Sequence, residues 1–164
     1  MKLWLSLLLY LLATTTYGQT APLPTDPANG KVVYTGIILA PRGATTEQVY
    51  DKAKKWMTGT VSQFQEGPAA RVFSGIGYVD VWDIRYQFQI QVDVGDYGTS
   101  YKIYNITWQI MGRTPAETGT IEELRDSKRV GFGKGTRTKS IADMDKKVKS
   151  YTRGLGKEIF QLLQ

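Results

Sequence analysis

The stretch "WDIRYQFQIQVDV", residues 82 to 94, constrains the fold of this chain more than any other. Trp82, Ile84, Tyr86, Phe88, Ile90, Val92 and Val94 occupy every second position, and Asp83, Arg85, Gln87, Gln89, Gln91 and Asp93 fill the gaps. Side chains of a strand alternate between its two faces, so a period of two places all seven apolar groups on one side. That side needs a covering layer, while the polar side is free to face water as antiparallel sheets allow. The row is therefore either the inner face of a sheet beneath helices or the wall of a ligand pocket. On the polar side, Arg85, Gln87, Gln89 and Gln91 become candidates for contact with a partner.

The covering layer is legible elsewhere in the chain. Thr45 with Gln48 three residues on has the pattern of a capping box. From there Val49, Ala53, Trp56, Met57, Thr60 and Val61 trace one face at helical spacing, predicting a helix to about Phe64. A second helix is predicted to open at Ser140 with Asp143 as capping partner, and Ile141, Met144, Val148, Tyr151, Leu155, Ile159 and Leu162 line its apolar face. "KVVYTGIIL" (31 to 39) and "RVFSGIGYV" (71 to 79) read as strands from their β-branched residues. "GDYG" (95 to 98) is a tight turn in which both glycines permit positive φ, leading into a return strand over 99 to 111. Both rows of that return strand are partly apolar, which predicts a central strand. "TIEELRD" is a short strand or a turn of helix, and the basic, glycine-spaced 127 to 139 reads as a mobile loop.

The order β-α-β-β-β-α predicts an α+β two-layer sandwich: a mainly antiparallel sheet of four to five strands with two amphipathic helices on one face. Before it, "TAPLPTDPANG" with three prolines reads as an extended linker over 19 to 30, and 31 to 164 as a single domain. Residues 1 to 18 have the layout of a cleaved signal peptide: Lys2, an apolar run from Leu3 to Ala13, then small residues ending at Gly18. An apolar run of 11 residues is too short to span a bilayer, which takes about 20, so the mature chain is expected to be periplasmic or secreted with no transmembrane segment.

Charge and composition bound the chemistry. Removal of the leader takes away one of 21 Lys and Arg against 15 Asp and Glu, lowering the net charge from +6 to +5. A moderately basic surface favours acidic partners without selecting one; nucleic acid is not expected in an exported protein. The chain has no His and no Cys. Zinc sites of the usual kinds, thiol nucleophiles and His-based triads are thereby removed, and no cofactor is expected.

The chain also resembles a known family. Gly30-Lys31-Val32-Val33-Tyr34 leading into a strand, then "TTEQVYDKAKKWM" with Tyr50, Ala53 and Trp56, is similar to the opening of domain of unknown function 4468. The similarity continues through the long strand and hairpin to the final helix, roughly residues 30 to 164. The resemblance implies a TATA-binding-protein-like (TBP-like) fold and an exported bacterial protein; it implies no activity, and fold alone supplies none.

Several side-chain groups compete for a functional role. Arg129, Lys134, Arg137 and Lys139 suggest an anion-binding loop, although a Walker loop fails because Gly135 follows Lys134. Asp93 and Asp96 read as turn formers; a calcium loop needs more oxygen ligands. Asp80, Asp83, Glu122 and Glu123 contain no spacing that selects a glycosidase pair. Asn105-Ile106-Thr107 matches a glycosylation sequon in mid-strand. Trp82, Tyr86 and Phe88 with Tyr104 and Trp108 form either a core or a hydrophobic pocket. The expected function is accordingly that of an exported, non-enzymatic domain binding an envelope protein or polysaccharide. A carrier of a small apolar ligand and a carboxylate hydrolase are the alternatives.

Overall fold

A computed structural model describes residues 22–67, 69, 71–126 and 134–161. The leader at 1 to 18 lies outside the described residues. Six strands form one sheet: β1 (Tyr34–Leu39), β2 (Ser62–Glu66), β3 (Val72–Val81), β4 (Ile84–Gly95), β5 (Gly98–Ile110) and β6 (Thr118–Thr120). The strand order is β1-β5-β4-β3-β2, every pairing is antiparallel, and β6 pairs with the far end of β5. Helices α1 (Thr46–Thr60), α2 (Ile121–Asp126) and α3 (Lys134–Phe160) complete the elements of the described residues. The predicted α+β class and the antiparallel sheet with helices on one face are both present.

The opening alternation governs the layers. In β4 the side chains from Ile84 to Val94 alternate between buried and exposed without interruption. Tyr86, Phe88, Ile90 and Val92 are fully buried. They meet α1 and α3: the Phe88 and Tyr151 rings stand edge-on at 5.1 Å, Trp56 packs on Tyr151 at 5.2 Å, and Tyr50 on Phe73 at 4.9 Å. Gly77 is required beneath this contact, because a Cβ there would collide with the Phe88 ring and approach the Tyr151 hydroxyl. Burying each such ring contributes about 1.5–3 kcal/mol, which a domain without disulfides depends on. The apolar row is core.

Local differences from the sequence reading have physical causes. Trp82 is not in the row: Trp82 and Asp83 are the two-residue loop joining β3 to β4, where Val81 pairs with Ile84. Its φ is +55°, the left-handed value that tight hairpins demand at a central loop position, and half of the indole is exposed. In the loop between Gly95 and Gly98, positive φ is absent from both glycines. Gly98 serves packing instead, since a Cβ there would press on the Ile38 carbonyl of β1.

The mixed rows of the return strand come from a bulge. Gln87 pairs with Thr107 but Gln89 with Tyr104, so β5 carries one extra residue, and Asn105 takes φ +51°. Alternation slips by one there: Thr99 and Ile103 point inward before the bulge, Ile106, Trp108 and Ile110 after it. Tyr104 therefore lies on the open face and does not share a row with Trp108. β5 is central, as expected, but through pairing on both edges.

α1 starts on the predicted capping box: Gln48 N–H donates to the Thr45 hydroxyl, and Thr45 N–H to the Gln48 carboxamide. It ends at Thr60, short of Phe64, because Ser62–Glu66 leave the helix to form the edge strand β2. α3 begins at Lys134, earlier than Ser140. Ser140 is no cap; it is buried in mid-helix, its hydroxyl 2.6 Å from the Tyr86 hydroxyl. Residues 134 to 139, expected as loop, are helical. The proline-rich approach is not extended throughout: Thr25 bridges Val32, and Val33 N–H donates to the Pro24 carbonyl. "TIEELRD" supplies Thr120, the last residue of β6, and the whole of α2.

Candidate functional site

The sheet face turned away from the helices has no covering layer among the described residues. Its centre is the polar row of β4. Across it, Asp80 and Gln109 flank Arg85, Tyr78 and Thr107 flank Gln87, and Ile76 and Tyr104 flank Gln89; Ser74 and Lys102 flank Gln91. The sequence-predicted Arg85, Gln87, Gln89 and Gln91 thus lie together on one accessible surface, all exposed.

Neighbours orient several of these groups. Arg85 grips Asp80 with two parallel hydrogen bonds, Nε to Oδ1 at 2.8 Å and Nη2 to Oδ2 at 2.9 Å. The pair spans the two-residue hairpin, and the guanidinium lies 5.7 Å from the Tyr78 ring centre. These hydrogen bonds hold the Asp80 carboxyl below its usual range and raise Arg85 correspondingly. Asn105 donates to the Gln89 carbonyl at 2.9 Å, and Lys102 stands 5.4 Å over the Tyr104 ring. Two grooves of about 640 Å³ each open on this face. One lies between Tyr78, Arg85, Gln87, Gln109 and Thr118; the other lies between Thr35, Ile37, Gln91 and Lys102. Neither lies between sheet and helices. Beside the second groove, Ile37, Leu39 and Tyr97 are 73%, 68% and 91% exposed.

Other candidate residues are dispersed. Arg129 lies outside the described residues; Lys134, Arg137 and Lys139 stand on the first turns of α3 instead of a loop. Lys139 reaches to 5.5 Å from the Trp82 ring. Of the four carboxylates considered for hydrolysis, three hold structure. Asp80 pairs with Arg85, Glu122 accepts the Val32 N–H at 2.7 Å, and Glu123 accepts the Thr120 N–H at 2.8 Å. Asp83 sits in the β3–β4 loop. Asp96 accepts from Arg71 and Thr46 at 3.3 Å each, a turn held by side chains. No group of three or more acidic residues suited to a metal occurs among the described residues. No described helix is long and apolar enough to cross a membrane.

Ile37, Leu39 and Tyr78 were missed as surface residues. Their signal was present, since β1 and β3 have the same period of two. The Asp80–Arg85 pair was legible only once Trp82 and Asp83 were known to be a loop.

The arrangement defines a class: an open antiparallel sheet backed on one face by two long helices, the TBP-like fold. Two solved structures share it. A TBP-like protein from Parabacteroides distasonis ATCC 8503 superposes with a TM-score of 0.66 at 13% identity, over 86% of this chain and 97% of that one. A DUF4468 family protein from Bacteroides ovatus ATCC 8483 gives 0.55 at 16% identity, over 80% and 90%. The fold implied by the sequence resemblance is therefore the fold of this chain. No family model and no curated protein matches the sequence.

Proposed function

We propose that the protein is an exported, non-enzymatic binding domain whose open sheet face docks a partner at the bacterial cell envelope. The observation that carries this reading is the bare polar face of β4, with Arg85, Gln87, Gln89 and Gln91 exposed above a completely buried apolar row. Side chains of a rigid central strand can meet a partner with little ordering cost. The pre-set Asp80–Arg85 pair and the exposed Ile37, Leu39 and Tyr78 add polar and apolar anchors on the same side. The leader at 1 to 18 supports export. The lack of His and Cys, together with carboxylates committed to structural hydrogen bonds, supports a binding role over catalysis.

The alternative of an apolar-ligand carrier loses its main support, because of the aromatic residues proposed as pocket walls Tyr86, Phe88 and Trp108 are buried in the core, Trp82 stands in the β3–β4 loop and Tyr104 lies on the open face. A photoactivatable residue at position 89 tests the docking face in cells. The expected result is a discrete crosslinked envelope partner from position 89 and none from position 51 on the outer side of α1. Crosslinking from 51 alone would refute the assignment.

A further inference from the structure

The net charge of this chain is confined to one layer. α3 carries eight basic and three acidic residues, and α1 three basic and two acidic, which together equal the whole chain's +6. Everything else sums to neutral. Within the helical layer, α1 contributes little free charge: Lys52 and Lys55 share Glu158, and Lys54 pairs with Glu66. On α3, a helix of 3.6 residues per turn whose inner side is set by Met144, Val148, Leu155 and Ile159 directs Lys139, Lys146, Arg153 and Lys157 to its outer side. All four are exposed. Lys146 stands 3.5 Å from Asp143, the one acid beside this line; Lys139, Arg153 and Lys157 have no ion pair among the described residues.

We infer that this stripe is a binding site for a linear, carboxylate-bearing polysaccharide. Three observations select that occupant. The charge complementarity is with an anion, and the outer cations form a line along one helix; the other exposed lysines of α3 are engaged elsewhere, Lys149 with Asp145 and Lys147 with the Asp80 carbonyl. Lys139, Lys146 and Arg153 recur every seven residues, a rise of about 10 Å per step, which spans about two rings of an extended sugar chain. An acidic polysaccharide with one carboxylate per disaccharide presents charge at that sparse spacing, whereas duplex DNA presents one about every 1.7 Å. A membrane fits less well, because the large apolar side chains of α3 pack into or against the core except Phe160 at its C-terminal end, and one exposed ring gives a bilayer little to hold. The site is on the layer opposite the open sheet face, so it is independent of the docking surface proposed above.

The test uses the full chain and four ligands at low salt: hyaluronate, which has one carboxylate per disaccharide, neutral dextran, vesicles of phosphatidylcholine with phosphatidylglycerol, and duplex DNA. Hyaluronate is expected to bind with an affinity that falls steeply as salt rises, and dextran not at all. Replacing Lys139, Lys146, Arg153 and Lys157 by Gln should weaken binding at least tenfold. A charge-matched control with Lys31, Arg42, Arg71 and Arg113 replaced by Gln should change it less than threefold. Equal loss in both variants would mean that net charge alone attracts the polymer, and would overturn the site. Tighter binding to vesicles or DNA than to hyaluronate would overturn the occupant. The thermal midpoint of each variant shows that it is folded, and the Lys146→Gln, Lys157→Gln pair should give an intermediate loss.

Discussion

Tyr86 joins the two layers at a single contact. Its ring fills the core, and its hydroxyl meets that of Ser140 at 2.6 Å in a fully buried setting. Burial pushes the phenol up to about 12, opposed in part by the Ser140 hydrogen bond. The consequence for stability has a definite sign. Below the ordinary tyrosine value of about 10 the phenol is neutral in both folded and unfolded chains. Between there and about 12 only the unfolded chain loses its proton, so stability falls as pH rises. Urea unfolding measured from pH 8 to 12 should therefore decline steeply in the parent chain. In Tyr86→Phe the decline should be shallower by about 2 kcal/mol, with a lower starting stability because Ser140 is left without its partner. An identical slope in both would show that Tyr86 does not titrate in this window. Tyr151, also raised to about 12 by burial, accounts for part of the slope that remains.

Among the elements, β5 shows best where sequence reading stops. The period of two in β4 is unbroken, so its two faces are legible from residue types alone. In β5 the same arithmetic yields two mixed rows, because one residue at Asn105 does not count toward the alternation. No apolar pattern marks a bulge. The available hint was an Asn in mid-strand, a residue that tolerates left-handed φ. Asn105→Val forces a β-branched residue into φ +51° and removes the hydrogen bond to Gln89, so it should cost about 1–2 kcal/mol in denaturant unfolding. Asn105→Gly should cost much less; equal losses would remove backbone strain as the cause. The early end of α1 has a related origin. Val61 and Phe64 continue the helical apolar spacing, and only pairing of Ser62–Glu66 with β3 decides that Val61 caps the helix and Phe64 belongs to a strand.

For the whole molecule, the sheet centre and its margins should differ in local stability. β4 and β5 are paired along both edges and lie under the helices, whereas β6 has three residues. The turn at 25 to 32 is held mostly by short-range hydrogen bonds around Asp26 and by the Thr25–Val32 bridge, with the Val32 N–H to Glu122 bond reaching across to α2. Amide hydrogen exchange should be slowest at Phe88, Ile90 and Ile103, at the rate set by global unfolding, and fastest in β6 and the 25 to 32 turn. Faster exchange at Ile90 than at Thr120 would contradict this layering. The sequence by itself determined the fold class, the two faces of β4 and the capped start of α1. Each follows from a local period or a contact within a few residues. Only the tertiary structure decided the Asn105 bulge, the Trp82–Asp83 loop, the strand role of 62 to 66 and the meeting of Tyr86 with Ser140. The bulge, the edge strand and the Tyr86–Ser140 contact depend on partners outside their own segments, and the loop on where the β3–β4 pairing closes; local spacing carries no record of either.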